Sequence, residues 1–210
     1  MATLVDKYFS QADFDAIEAS VRKAEQQTSG EIVVHLASQS KQWQIERLIH
    51  SSLAAVIAMV AALFFTRENN WGIYYDTTQA LLWGGVGFVA AYFGWGQFLK
   101  RAGRRQQIVW KRALRHFRQI PSSRAQTAIL IFLSLAEEQA AIVADKAIAS
   151  KVPDDYWHRP QSIVAKAMKD GKHAEGIIQA IAMLGTELAA HFPRQSDDIN
   201  EFPDRPKSAD

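Results

Sequence analysis

Two long stretches in the middle of the chain are mostly apolar and carry no side chain with a fixed charge. They run approximately from Leu48 to Phe65 and from Thr78 to Leu99. Each is close to the roughly 20 residues that an α-helix needs to cross the hydrocarbon core of a bilayer. The pattern predicts two transmembrane helices that form a hairpin over residues 48–99. A pair of buried helices in a soluble core is the alternative interpretation.

Small residues recur in both predicted membrane helices. The first is rich in alanine, and the second contains Gly84, Gly85 and Gly87. Small side chains allow two membrane helices to approach closely. They can serve the packing of the hairpin on itself or the contact with a second copy, and the sequence leaves both options open. Neither helix contains a charged residue, so we expect an anchor rather than a transport pathway.

Basic residues are distributed unevenly around the two predicted spans. The loop between the spans contains a single one, Arg67. The segment after the second span contains many: Lys100, Arg101, Arg104, Arg105, Lys111, Arg112, Arg115 and Arg118. Cytoplasmic flanks of membrane helices are enriched in lysine and arginine. The asymmetry predicts that both flanks of the hairpin lie in the cytoplasm.

The basic segment after the second span is also a candidate binding surface. A helix is predicted from Lys100 to about Gln119, with apolar positions spaced to pack on the domain core: Trp110, Ala113, Leu114 and Phe117. Basic residues near anionic lipid headgroups contribute about 1 kcal/mol each. The residues expected to make this contact are Arg101, Arg104 and Arg105. Nucleic acid is the alternative partner. We disfavour it because membrane topology and lipid contact are sufficient to explain the basic residues of this segment.

The rest of the chain has the pattern of one soluble α/β domain that the hairpin interrupts. Three segments are rich in strand-forming residues: Glu31 to Ala37, Ala128 to Leu135 and Ala140 to Asp145. Helical periodicity precedes the first segment and follows the third. We therefore expect a small mixed sheet with helices on both faces, built from residues 1–47 and 100–193 together. Residues 194–210 are polar, and we expect a flexible tail there.

The average composition hides the apolar middle of the chain. The values of 48% hydrophobic residues and formal net charge +2 would suit a soluble protein. Cysteine is absent, which excludes disulfides, thiolate metal sites and cysteine nucleophiles. The motifs GxGxxG, GxxxxGK[ST], GxSxG and HExxH are absent too, so nucleotide-dependent, serine-hydrolase and zinc-protease activities have no support.

Four acidic residues are the candidates for a metal site. Glu31 opens the first predicted strand and Asp145 closes the third, so both are expected near each other at strand ends, where open α/β sheets bind ligands. Asp154 and Asp155 form a second cluster after Pro153. Carboxylate oxygens suit a hard divalent cation. The alternatives are structural: a local turn for Glu31, Lys146 or a backbone amide for Asp145, and the N-cap of the next helix for the Asp pair.

Several of these segments resemble a known family. The blocks FSQADFDAIEASVRKAEQQTSGEIVVHL and ILIFLSLAEEQAAIVADKAI, with Trp157 and the ending HFPRQSDDINEFPD, resemble the TPM domain in its predicted bacterial membrane protein branch. The most specific parts are the step from Thr28 to Glu31 and the ending from His191 to Glu201. The resemblance implies an α/β fold and a location at the bacterial inner (cytoplasmic) membrane. The chain departs from the family pattern at Ala147, where a glycine is usual, and by carrying the hairpin inside the domain.

Two hypotheses for function follow. The first, which we favour, is a membrane-anchored interaction module that supports a membrane complex, with the bilayer and a membrane protein or a second copy as partners. The second, implied by the TPM resemblance, is a metal-assisted phosphatase. It would use Glu31, Asp145 and one of Asp154 and Asp155 with a divalent cation. Three oxygen ligands that converge in space would favour this second hypothesis.

Overall fold

The computed structural model describes residues 3–40, 43–65, 68–69, 73–74, 77–99, 102–120, 127–195 and 200–209. The chain divides into two units, each of which is described by itself. The first consists of Met1–Ser40 together with Arg105–Asp210, and the second of Lys41–Arg104. The first unit is therefore assembled from two pieces of sequence that the second unit separates.

The elements follow the chain in a simple order. They are α1 (Leu4–Tyr8), α2 (Gln11–Glu25), β1 (Glu31–Ala37), α3 (Trp43–Phe65), β2 (Glu68–Asn69), β3 (Ile73–Tyr74), α4 (Thr77–Leu99), α5 (Ala102–Phe117), β4 (Ala128–Ser134), β5 (Gln139–Ala144), α6 (Lys146–Ala149), α7 (His158–Lys169), α8 (His173–His191) and β6 (Lys207–Ser208). In the second unit, α3 packs along α4, and β2 pairs with β3 in an antiparallel hairpin.

The start of α2 shows how local sequence fixes an element of the first unit. The Ser10 hydroxyl accepts the backbone N–H of Asp13 at 3.2 Å, and the Asp13 carboxylate accepts the backbone N–H of Ser10 at 2.8 Å. This reciprocal pair is a capping box, which satisfies donors that the first turn of a helix leaves free. Ile17 and Val21 then lie one turn apart on the same face and are fully buried. The capping box therefore fixes the start of α2, and the helical spacing of its apolar residues turns one side of the helix toward the core.

The sheet of the first unit has the strand order β5-β4-β1-β6. β1 pairs in parallel with β4, with Glu31 opposite Ala128 and Ala37 opposite Ser134. β4 pairs with β5 in antiparallel fashion, from Ile129 opposite Ala144 onward. The sheet is therefore mixed, as predicted, and the first strand belongs to the same sheet as the strands that follow the hairpin. Joining the sheet satisfies the backbone groups that an isolated β1 would leave unpaired.

Helices cover both faces of this sheet, which confirms the predicted α/β class. On one face α1, α2, α7 and α8 bury side chains such as Ile17, Val164 and Ile181 against β1, β4 and β5. On the other face α5 buries Val109 and Ala113 against the same strands. Every residue of β4 is buried, which explains its nearly continuous apolar sequence.

The end of the chain differs from the expected flexible tail over residues 200–209. β6 pairs in parallel with β1, with His35 opposite Lys207 and Leu36 opposite Ser208. Two further contacts hold this segment: the Ala209 N–H donates to the Leu36 carbonyl at 2.8 Å, and the Arg112 guanidinium donates to the Ala209 carbonyl. The polar composition was misleading because backbone pairing with an open sheet edge requires no apolar pattern.

Candidate functional site

The packing surface between α3 and α4 is built from small residues. A Cβ atom at Gly87 would lie 2.8 Å from the Cβ of Ala58, so this close approach requires glycine. A Cβ atom at Gly84 would lie 3.4 Å from the Ala55 carbonyl oxygen. Gly85, in contrast, has open space around it. Gly84 and Gly87 therefore serve the packing of the hairpin on itself, one of the two options that the sequence leaves open.

Arg47 joins the first turns of α3 to the second half of α4. Its Nε donates to the Tyr92 carbonyl at 2.6 Å, and its guanidinium lies 3.6 Å from the centroid of the Tyr92 ring. The Arg47 carbonyl accepts the Ser51 hydroxyl at 2.7 Å. A cation over an aromatic face gains stabilisation that grows as water is excluded. Contacts with Tyr92 thus stabilise the Arg47 charge, which lies at the edge of the apolar stretch, within the second unit.

Large apolar side chains of α3 and α4 that face away from this packing surface are exposed. One stripe of α3 contains Ile45, Ile49, Leu53 and Ile57, which are 53%, 59%, 57% and 61% exposed. On α4 the corresponding residues include Leu81, Leu82, Val86, Val89 and Phe93. Soluble proteins rarely expose contiguous apolar surface of this extent.

One helix within the described part of the chain, Gln44–Phe65, is long and apolar enough to cross a membrane by length and composition. Only 11% of its most apolar window is buried. This low burial argues against the alternative interpretation of α3 as a core helix, which would be buried all round. The second predicted span, and with it the two-span hairpin, stays a prediction.

In the first unit, two loops cross at the beginning of β1. The Thr28 hydroxyl donates to the Phe192 carbonyl at 2.6 Å, and the Ser29 N–H donates to the same carbonyl at 3.0 Å. The Ser29 hydroxyl donates to the Pro193 carbonyl at 3.3 Å and accepts the Gln195 N–H at 3.1 Å. The crossing therefore joins the two segments, 28–31 and 191–201, that carry the most specific part of the family resemblance.

Beside this crossing lies a cleft of about 280 Å³. Its charged lining consists of Glu25, Glu31, Asp204, Arg22 and Arg194. Glu31 is only 6% exposed, and its Oε1 accepts the Glu201 N–H at 3.1 Å. Asp204 accepts from the Arg22 Nε at 3.2 Å, and Glu25 accepts from the Ile32 N–H at 2.9 Å. Three carboxyl groups and two guanidinium groups thus share one small volume, in which charges interact more strongly than in water.

Burial in this cleft favours the protonated form of Glu25 at neutral pH. Burial raises the pKa of the Glu25 carboxyl from 4.5 to about 8, and the carboxylates of Glu31 and Asp204 add to the rise. The Ile32 N–H, which favours the ionised form, opposes them. The sequence pattern alone does not indicate that Glu25 and Asp204 share a site with Glu31. The ending that contains Asp204 was the available signal, because it belongs to the family-specific segment.

The predicted metal ligands occupy separate places. Glu31 and Asp145 lie at the same end of the sheet, on either side of Ala128, whose N–H donates to the Asp145 carboxylate at 3.2 Å. Asp154 and Asp155 are exposed in the turns before α7. They do not cap that helix as the alternative interpretation had it, because Trp157 is the N-cap and makes no side-chain cap. Among the described residues, no three His, Asp or Glu side chains form a group that could hold a metal ion. The divalent cation and the phosphatase stay hypotheses.

A buried carboxylate lies at the other end of the sheet, in the turn between β4 and β5. Glu137 is 1% exposed and accepts the Ser40 N–H at 2.8 Å. It also accepts the Ser134 hydroxyl, which in turn accepts the Ser40 hydroxyl at 2.7 Å. A buried carboxylate is tolerated only when such donors surround it. This network ties the loop after β1 to the β4–β5 turn, and sequence analysis gave no sign of it.

The predicted basic helix is observed as α5. Val109 and Ala113 face the sheet and are fully buried, whereas Trp110 is 40% exposed and does not take the core-facing position predicted for it. Arg112 donates to the carbonyls of Gln39 and Ala209, so it serves the fold of the first unit. Of the predicted lipid contacts, Arg101 and the side chain of Arg104 lie outside the described residues, and Arg105 is half-buried.

The charge state of Glu25 predicts a specific pH dependence of stability. The unfolded chain releases this proton near pH 4.5 and the folded chain near 8, so the free energy of unfolding should fall as the pH rises through this range. Glu25→Gln should remove most of this loss and raise the free energy of unfolding at pH 8 by about 1 to 3 kcal/mol. Urea titrations of the full chain in a mild detergent across this range measure the effect.

His35 and a control variant distinguish the pH dependence caused by Glu25 from that caused by other groups. His35 acts in the opposite direction, because burial lowers its pKa from 6.5 to about 4 and so costs stability as the pH falls through that range. The control variant is Glu138→Gln, since Glu138 is exposed. A Glu25→Gln protein with the same pH profile as the parent would show that Glu25 is ionised in the folded state.

Comparison with known proteins agrees with the resemblance and the fold. The family model of the TPM domain matches residues 102–187, which confirms the TPM resemblance, while the bacterial branch stays a prediction. Among solved structures, the chain is similar to the NMR structure of the BA42 protein from the psychrophilic bacterium Bizionia argentinensis. The TM-score is 0.58 with 22% sequence identity, over 96% of this chain and 95% of that one, so the likeness concerns the fold alone. None of the curated proteins matches the chain.

Proposed function

We propose that this chain, whose residues 102–187 match the TPM domain, is a membrane-anchored accessory module. In this proposal the α3–α4 hairpin inserts into the inner membrane of a bacterium, and the α/β domain stays on the cytoplasmic side. There it assists or stabilises a membrane complex. The bilayer is one partner, and a membrane protein or a second copy is the other.

The observation that carries the proposal is the exposed apolar surface of the second unit. The stripe Ile45, Ile49, Leu53 and Ile57 on α3 is more than half exposed at every position. Water penalises such a surface by about 25 cal/mol per Å² of apolar area, whereas lipid does not. The polar contacts of Arg47 and Ser51 fall at one end of α3, where a span would meet the headgroups.

The proposed cytoplasmic location is supported by the basic residues that follow α4. No acidic residue occurs from Thr77 to Ala136, whereas nine basic residues occur in that range: Lys100, Arg101, Arg104, Arg105, Lys111, Arg112, Arg115, Arg118 and Arg124. A positive flank of this strength keeps a membrane helix end on the cytoplasmic side. The accessory role is supported by the absence of nucleotide-binding, serine-hydrolase and zinc-protease motifs from the sequence.

The test combines membrane extraction with topology. The full chain should stay in the membrane fraction after alkaline carbonate washing and should dissolve only in detergent. Reporter fusions at Asn70 should be active only outside the cytoplasm, and fusions at the C-terminus only inside it. A pair of reporters with opposite compartment requirements at each site supplies the control. Release by carbonate would overturn the anchoring, and an external C-terminus would overturn the orientation.

A further inference from the structure

We infer that the outward face of α5 binds anionic phospholipid headgroups. The α5 outer face is defined here as Gln107, Trp110, Lys111, Arg115 and Arg118. Arg118 directly follows α5, and its N–H donates to the Leu114 carbonyl at 3.1 Å. The inference rests on the proposed membrane anchoring and adds a second, electrostatic contact made by the α/β domain itself. The lipid contact of Arg101, Arg104 and Arg105 stays a prediction.

The orientation of α5 is fixed by its buried side. Val109 and Ala113 are both fully buried against the sheet. Residues four and three positions apart share one side of a helix, so Lys111, Arg115 and Arg118 form a single row. All three are exposed. The orientation of α5 therefore directs this basic row away from the sheet. Turning the row inward would expose Val109 and Ala113.

The charge of this face lacks compensation within the helix. No acidic residue occurs anywhere in α5, and the described residues provide no ion pair to Lys111, Arg115 or Arg118. Arg205, a basic residue elsewhere on the first unit, is compensated in contrast: it contacts Asp15 and Glu18 at 3.0 and 2.8 Å. An uncompensated cationic row attracts a polyanionic partner.

Trp110 identifies the kind of polyanionic partner. It lies next to the basic row and is 40% exposed, although its size favours burial. Indole rings are enriched at the headgroup level of membranes, where one part of the ring meets apolar chains and the N–H meets polar groups. Basic residues beside an exposed tryptophan on an amphipathic helix are typical of an interfacial helix. α5 also begins three residues after α4 ends, so an inserted α4 would tether the start of α5 near the membrane surface.

The absence of cysteine from the chain permits a direct experiment. A nitroxide spin label at Gln107→Cys reports from the α5 outer face, and one at Ser162→Cys reports from the exposed side of α7 on the opposite face of the sheet. The labelled full chain is incorporated into nanodiscs of phosphatidylcholine, with or without phosphatidylglycerol. The measured quantity is the ratio between the label's accessibility to oxygen and its accessibility to a nickel chelate. For the Gln107 label we expect this ratio to be about twofold higher or more in the nanodiscs with phosphatidylglycerol than in those of phosphatidylcholine alone. The Ser162 label should not change.

Charge variants separate headgroup binding from general attraction. The variant Lys111→Gln, Arg115→Gln and Arg118→Gln should abolish the response of the Gln107 label, and so should high salt, which screens exposed charges. The matched variant Lys23→Gln, Lys166→Gln and Lys169→Gln removes the same charge from exposed positions of α2 and α7 and should leave the response intact.

The outcomes distinguish the membrane anchoring of the chain from headgroup binding by the α5 outer face. Failure of the chain to enter either nanodisc would overturn the membrane anchoring and this inference with it. Incorporation with equal label accessibility in neutral and anionic nanodiscs would overturn this inference alone. A label that responds to added duplex DNA or RNA but not to anionic lipid would assign the face to nucleic acid and overturn the lipid assignment as well.

Discussion

Replacing Leu53 and Ile57 with arginine should release most of the chain from the membrane fraction. Both residues lie on the exposed stripe of α3, near the middle of the predicted span. An arginine at the centre of a membrane helix costs about 2.5 to 3.5 kcal/mol by insertion measurements, so the pair should cost about 5 to 7 kcal/mol. Quantifying the carbonate-resistant fraction of the full chain after expression measures the effect.

The matched control moves the same two substitutions to the end of the same stripe. Ile45→Arg and Ile49→Arg have the same spacing, and the parent residues have nearly the same exposure as Leu53 and Ile57. Near the headgroups a long basic side chain reaches water at small cost. The control should therefore stay membrane-bound. If α3 were the surface helix of a soluble protein, both pairs would behave alike, and equal behaviour would refute the span.

Glu137→Ala should lower the free energy of unfolding of the α/β domain by about 3 kcal/mol. The substitution leaves the Ser40 N–H and the Ser134 hydroxyl buried without their common acceptor. It also opens a cavity at a site that is only 1% exposed. Hydrogen exchange of the β4 and β5 amides in the full chain, held in a mild detergent, measures the change.

The neighbouring residue provides the control for this substitution. Glu138 is exposed and follows Glu137 directly in the same turn. Glu138→Ala should change the free energy of unfolding by less than about 0.5 kcal/mol, since it removes no buried contact. Equal effects of the two substitutions would mean that the turn tolerates the loss of the Ser40–Ser134–Glu137 network and that some other contact holds it.

Features that depend on local sequence were predictable. The capping box at Ser10 and the fully buried strand β4 each leave a periodic or positional signature in a short window. These two signals are strong because each involves residues of a single element. The pairing of β1 with β4 joins distant segments, and it was predictable only from the requirement that a strand satisfy its backbone groups.

Features that depend on distant contacts were not predictable in the same way. Glu25 and Asp204 share a cleft although 178 residues separate them in the chain. β6 has two residues and no apolar alternation, so only the open edge of β1 explains it. Trp110 was assigned to the core by helical spacing, but Val109 and Ala113 set a rotation that leaves it outside. An apolar pattern shows which residues share one side of a helix. Tertiary packing decides how the helix is rotated and which of these residues are buried.

The division of the α/β domain by the hairpin also sets the order in which the protein can be made. β1 is synthesised early, but its first partner begins with Ala128, opposite Glu31, and its second partner begins at Lys207. The ribosome must therefore deliver both apolar helices before any parallel pairing of β1 is possible. Sheets closed by such long loops form slowly, because the chain loses the entropy of loop closure before it gains the contacts between the strands. The nascent β1 must remain unpaired with β4 while α3 and α4 emerge, and the sheet is complete only after Lys207 and Ser208 have left the ribosome.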